Sequence, residues 1–171
     1  MKNRIILVLS LLVGIFSYAE KPVQDIKKEF TSSALEASVI GLDGKKTTVG
    51  EVLEPYRGKV VVLDFWASWC QDCILALPKT KELKDKFEHL EFIYLSVDRS
   101  HAQWTRGLEK YGLNEEKNYW FDQGWKNTFN DYIELNWVPR FLVVDQSGKI
   151  AHYYSISPED PLFLKTLESI L

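Results

Sequence analysis

The chain has 171 residues, 46% of them hydrophobic and 26% charged, with a formal charge of −3 at pH 7. That length holds one domain with a core of its own and scarcely two, and the composition is that of a globular protein rather than a disordered one. The mildly acidic balance leaves no electrostatic case for nucleic acid or an anionic membrane surface as partner.

At the amino terminus, Lys2 and Arg4 precede an uncharged apolar stretch from Ile5 to Phe16, followed by Ser17-Tyr18-Ala19. A positive flank, a short apolar run and small residues form the pattern of a signal peptide, here residues 1–19 with cleavage after Ala19. A retained N-terminal anchor is the alternative, although this stretch falls short of the roughly 20 residues needed to span a bilayer. No cysteine follows the stretch, which excludes lipoprotein processing. Removing residues 1–19 takes away Lys2 and Arg4 and no acid, so the formal charge moves from −3 to −5. The expected location is periplasmic or otherwise extracytoplasmic.

Residues 20–31 are charged and interrupted by Pro22, and read as a flexible lead-in to a domain over residues 32–171. Ser38 to Thr48 has a strand-turn-strand pattern centred on Asp43-Gly44, a dipeptide suited to the positive φ angles of tight hairpins. A short helix is expected near Val49 to Leu53. After the Arg57-Gly58 turn, Lys59 to Trp66 is apolar on both alternating faces, as a buried central strand should be. A helix follows from about Cys70 to Phe87, bent by the internal Pro78, and then a second buried strand from Leu90 to Val97. These three form a β-α-β unit with parallel strands and a right-handed crossover. Trp104, Leu108 and Tyr111 mark the next helix. Beyond the aromatic stretch Tyr119 to Phe121, the set Trp125, Phe129, Tyr132 and Ile133 marks another. Trp137-Val138-Pro139 interrupts the chain before a strand from Arg140 to Val144. Asp145 to Gly148 turns into Lys149 to Tyr154, and Phe163, Leu167, Ile170 and Leu171 give a closing amphipathic helix.

The two cysteines, Cys70 and Cys73, are the only ones in the chain and stand three positions apart, just after the central strand. Thiols at that separation close a small disulfide and can reopen it. At a helix start the first cysteine can be exposed while its thiolate feels unsatisfied N–H groups and the positive end of the helix dipole, which lowers its pKa from about 8.5 toward about 7 or below. A purely structural disulfide is the competing reading, but so short a loop removes little entropy from the unfolded chain. A zinc site lacks ligands, since His89, His101 and His152 show no pairing at ligand spacing. No cofactor is expected: nothing points to a metal, nucleotide or flavin.

The run Asp64-Phe65-Trp66-Ala67-Ser68-Trp69-Cys70-Gln71-Asp72-Cys73, then Pro78, then Val138-Pro139 before a strand, resembles thioredoxin. The N-terminal hairpin with its Leu42-Asp43-Gly44-Lys45 turn, the Gly58-Lys59-Val60-Val61 entry, the helical insertion and the Asp145 to Ile150 hairpin resemble exported TlpA-type thiol-disulfide oxidoreductases. The resemblance runs from about Ser38 to Leu171. It implies an α/β, thioredoxin-like fold: a central mixed sheet flanked by helices, with an N-terminal β-hairpin extension and a helical insertion. Two departures stand out. The dipeptide between the cysteines is Gln71-Asp72, without the proline common in the family. Ala76 occupies the position where cytochrome-maturation reductases often carry glutamate, which weakens a cytochrome c assignment.

By the same resemblance, Cys70 is the nucleophile that attacks a client disulfide and Cys73 resolves the mixed disulfide. Asp64 matches the buried aspartate that accepts the resolving thiol's proton; the alternative is a strand-end carboxylate reaching water. Pro139 matches the family's cis-proline, with Val138 offering its backbone to an extended client segment and Trp69 an apolar docking surface. The implied activity is reduction or exchange of disulfides in exported client proteins, with electrons replenished by a membrane thiol reductase. Three other readings compete. A net oxidant of the DsbA kind differs only in potential. A peroxidase would need proline at Leu63 and threonine at Ala67. A non-catalytic binding module would not need two thiols.

Overall fold

The computed structural model describes residues 27–171; the signal peptide expected over residues 1–19 and the start of the lead-in, 20–26, lie outside the described residues. From Lys27 the lead-in is docked on the domain. Ile150 N–H donates to Lys28 O at 2.8 Å, the Phe30 ring stacks on Phe129 with centroids 5.3 Å apart, and the Tyr132 hydroxyl donates to Glu29 O. Lys28, Glu29 and Thr31 face outward, while Lys27 lies over the Tyr132 ring and Phe30 supplies the anchor that the charged composition conceals. Thr31 then caps α1 (Ser32–Leu35), its Oγ1 accepting the Ala34 N–H.

Strands β1 (Ser38–Gly41) and β2 (Lys46–Thr48) form the expected hairpin, and Gly44 in its turn takes φ +74°. Thr48 begins α2 (Val49–Leu53) with a capping box: Thr48 Oγ1 accepts the Glu51 N–H while the Glu51 carboxylate accepts the Thr48 N–H. Strand β3 (Val60–Trp66) is buried along its whole length. It pairs in parallel with β4 (Leu90–Ser96) and antiparallel with β6 (Arg140–Val144), so it lies inside the sheet with helices on both faces. Helix α3 (Gln71–Lys86) connects β3 to β4 and continues through Pro78. Helix α4 (His101–Tyr111) ends on Gly112 at φ +69°. After β7 (Ile150–Ser155), α6 (Pro161–Ile170) closes the chain against the sheet, with Phe163 packed on Phe141.

Three elements differ from the sequence reading, α1 among them, since no helix was expected over Ser32 to Leu35. The aromatic stretch Tyr119 to Phe121 contains a strand, β5 (Asn118–Trp120), parallel to β4 and antiparallel to β1. Three residues carry too little periodicity to register as a strand, yet β5 is what joins the N-terminal hairpin to the rest. Among the described residues the sheet therefore has seven strands in the order β2-β1-β5-β4-β3-β6-β7. The helix expected around Trp125 to Ile133 shrinks to α5 (Thr128–Tyr132), because Asn127 occupies its N-cap and accepts the Asn130 N–H at 2.9 Å. Asn130 Nδ2 in turn donates to Trp125 O at 3.0 Å and holds the preceding residues as a turn.

Arg140, the first residue of β6, is fully buried. Its guanidinium donates to Tyr153 O at 3.0 Å and Ile133 O at 3.4 Å and lies 3.9 Å from the centroid of the Tyr154 ring. Burial pulls it down to about 10, still protonated at neutral pH. It ties the loop ahead of Pro139 to the edge strand β7. Arg140→Ala should leave two carbonyls without donors and a cavity beneath Tyr154, costing about 3 kcal/mol in denaturant unfolding. A variant as stable as the parent would show that the guanidinium holds nothing.

Candidate active site

The cysteine pair stands where β3 gives way to α3. A turn closed by Cys70 N–H to Ala67 O at 3.0 Å carries the chain off the strand, and Cys70 becomes the N-cap of α3. Its Sγ accepts the Cys73 N–H at 3.1 Å, filling one of the orphan donors of the first turn. A thiolate at Cys70 would meet that N–H and the positive end of a sixteen-residue helix. The two sulfurs are joined in a disulfide, with Cα atoms 5.3 Å apart. The exposure expected of Cys70 is not observed: it is only 6% exposed and Cys73 3%. Neighbouring aromatic and loop residues cover the pair and leave a groove as its approach.

The Val138–Pro139 bond is cis and faces the pair, with Val138 O 3.4 Å from Cys70 Sγ. The disulfide sulfur has no proton, so this is a packing contact; a reduced Cys70 thiol at the same place would donate to that carbonyl. A groove of about 470 Å³ opens beside Cys70, lined by Trp69, Asp72, Trp125, Asn136, Trp137 and Val138. Across Trp137 lies a second cleft of about 240 Å³, whose apolar lining includes Leu75, Pro139 and Ile156. Trp69 and Trp137 are 53% and 56% exposed, an unusual outlay of aromatic surface around buried sulfur. Trp125, Asn136 and Trp137 are groove residues that sequence reasoning missed. Trp125 had fallen into a helical stripe, whereas Trp137 offered a signal, an aromatic beside Val138-Pro139 that belongs to no periodic set.

Asp64 lies in the middle of β3, opposite Tyr94 of β4 and Phe141 of β6. It is 3% exposed and, among the described residues, no protein donor reaches its carboxylate. Burial alone pushes its carboxyl up to about 8. The Tyr94 phenol is also held above its ordinary range, by burial first and then by the Asp64 charge.

Residues 58–150, more than half of the chain, match the family model described as Thioredoxin-like. The chain belongs to the thioredoxin-like family. Among its relatives, the thiol-disulfide oxidoreductase ResA of Bacillus thuringiensis (strain Al Hakam) is 30% identical over 154 residues, covering 85% of this chain and 81% of that protein. ResA of Bacillus cereus (strain ATCC 10987 / NRS 248) is 32% identical over 111 residues, 64% of this chain and 62%, under two thirds, of that one. The solved thioredoxin domain of a thiol-disulfide oxidoreductase from Bacteroides vulgatus superposes with a TM-score of 0.64 at 18% identity, over 83% of this chain and 100% of that one. At this identity the superposition speaks for the thioredoxin-like fold alone. With its cysteine pair on that fold, this family member is a thiol-disulfide oxidoreductase.

Proposed function

We propose that the protein is an exported oxidoreductase that reduces or exchanges disulfides in extracytoplasmic client proteins, and that the pair is returned to the dithiol by a membrane thiol reductase. The observation that carries this reading is the placement of Cys70 Sγ between the Cys73 N–H and the Val138 carbonyl, at the floor of an apolar groove.

The chemistry runs in two exchanges. The Cys70 thiolate attacks one sulfur of a client disulfide; a Cys70–client bond forms, the client S–S bond breaks, and one client thiolate leaves. Cys73 then gives up its proton and attacks Cys70 Sγ. The Cys70–Cys73 disulfide forms and the second client thiolate departs, two electrons having passed to the client. Asp64 is the proposed acceptor of the Cys73 proton. Held up to about 8, its carboxyl is mostly protonated at neutral pH, so the ionised minority accepts that proton and the protonated form returns one to Cys73 when the disulfide is reopened. Val138 would pair with the extended client backbone beside Pro139, with Trp69 as the apolar wall.

Reductant and oxidant differ in potential, about 30 mV for each 1.4 kcal/mol of the two-electron couple. The ResA relatives are named for thiol-disulfide oxidoreduction, which fits either direction. The experiment that tests Cys70 as the attacking thiol uses Cys73→Ser with a disulfide-bonded client peptide. Attack by Cys70 should proceed, and resolution should fail, so a mixed disulfide of the summed mass should accumulate and release the peptide on dithiothreitol treatment. Finding only free Cys73→Ser protein would show that Cys70 does not attack disulfides.

A further inference from the structure

Asp98, two residues beyond β4, is fully buried and takes no part in the exchange steps above. Both oxygens of its carboxylate accept from Ser68, a residue of the active-site turn. Oδ1 and Oδ2 accept the Ser68 N–H at 3.2 and 3.1 Å, and Oδ1 also accepts the Ser68 hydroxyl at 2.7 Å. Asp98 is itself fixed in place. Ser96 Oγ donates to Oδ2 at 2.8 Å and accepts the Asp98 N–H at 3.1 Å, while the Trp120 indole N–H donates to Asp98 O at 2.8 Å.

Ser68 is closed in from α4 as well. A methyl group built on Gly107 would lie 2.5 Å from Ser68 Cβ, closer than two carbons can approach, and the Tyr111 hydroxyl donates to Ser68 O at 3.4 Å. Ser68 is the second residue of the turn that Cys70 N–H closes on Ala67 O. Whatever fixes Ser68 therefore fixes the direction from which Cys70 enters α3.

We propose that Asp98 is a positioning residue for the thiol chemistry: by gripping both donors of Ser68 it holds the Ala67–Cys70 turn so that Cys70 Sγ stays against the Cys73 N–H and beside Val138. Gly107 is the small residue that lets α4 close over this grip. The proposal rests on Cys70 being the attacking thiol. Charge and geometry act in opposite senses here. A nearby carboxylate opposes a thiolate, so deleting the charge alone should favour the thiolate, whereas loosening the turn should cost it the Cys73 N–H.

The test measures, in reduced protein, the pH dependence of Cys70 alkylation by iodoacetamide, mapped by mass spectrometry, together with the rate of client disulfide exchange. Asp98→Ala should raise the Cys70 pKa by about one unit and slow exchange roughly tenfold. Asp98→Asn removes the charge but keeps an oxygen for Ser68, and should recover the rate to within about threefold. Gly107→Ala should shift the Cys70 pKa upward like Asp98→Ala, although alanine is the better helix former. Equal shifts in Asp98→Ala and Asp98→Asn would replace positioning by a charge effect and overturn the proposal. So would a folded Asp98→Ala protein with the parent pKa and rate. If Asp98→Ala does not fold, Gly107→Ala and Ser68→Ala decide, and an unmoved Cys70 pKa in both overturns it. First alkylation at Cys73 in the parent protein would instead reject Cys70 as nucleophile, which is a separate failure.

Discussion

Cys70→Ser should reduce catalysis of insulin disulfide reduction by dithiothreitol to the uncatalysed background. A serine hydroxyl cannot form the sulfur–sulfur bond through which the client's electrons pass, and the chain holds only one other thiol. That thiol is a poor substitute. Cys73 is 3% exposed and lies in the first turn of α3 behind the N-cap, whereas Cys70 borders the groove. Stopped assays of insulin precipitation with parent, Cys70→Ser and Cys73→Ser proteins separate attack from resolution. Parent-like turnover by Cys70→Ser would reject the assigned nucleophile outright.

Asp64→Asn should make the oxidised protein more stable at neutral and alkaline pH while leaving it unchanged near pH 4. The folded carboxyl is raised from 3.8 to about 8, so the folded state holds a proton that the unfolded chain releases across that interval. The stability associated with the neutral carboxyl is complete below about pH 4 and is lost as pH rises through about 8. With 1.36 kcal/mol for each pKa unit, the parent's disadvantage relative to Asp64→Asn reaches roughly 4 kcal/mol by pH 7. Denaturant unfolding at pH 4, 7 and 9 reads this directly. Parallel pH curves for the two proteins would show that the carboxyl titrates in its ordinary range. In the reduced protein the same variant should lengthen the life of the mixed disulfide, because the carboxamide takes no proton from Cys73.

Much of the fold was legible because its strongest signals are local. The unbroken apolar run of β3, the Asp43-Gly44 turn and the aromatic stripe of α4 each announce one element through few residues. The three-residue β5 and four-residue α1 were not legible, since neither spans enough chain for a period and each is stabilised from outside. The docking of residues 27–31 was hidden for a related reason: one aromatic, Phe30, outweighs its charged neighbours by stacking on Phe129. At the site, the cysteine spacing and Val138-Pro139 stood out as motifs. Trp137 and Asn136 became groove residues only when the loop folded across α3, and the buried Asp98 met Ser68 through a contact thirty positions away in the chain. Cys70 proved less exposed than a helix start suggests, because such a start says nothing about what a distant loop lays over it.

The most direct measurement is an equilibrium titration of the Cys70–Cys73 pair across glutathione and dithiothreitol buffers, with the thiol content read by alkylation and mass. The pair is expected to open and close reversibly as one two-electron couple, with a potential toward the thioredoxin end of the range, near about −270 mV, for a reductant, and toward about −120 mV for an oxidant. A disulfide that stayed closed throughout these buffers, or one that never re-formed after reduction, would contradict thiol-disulfide exchange as the work of this protein.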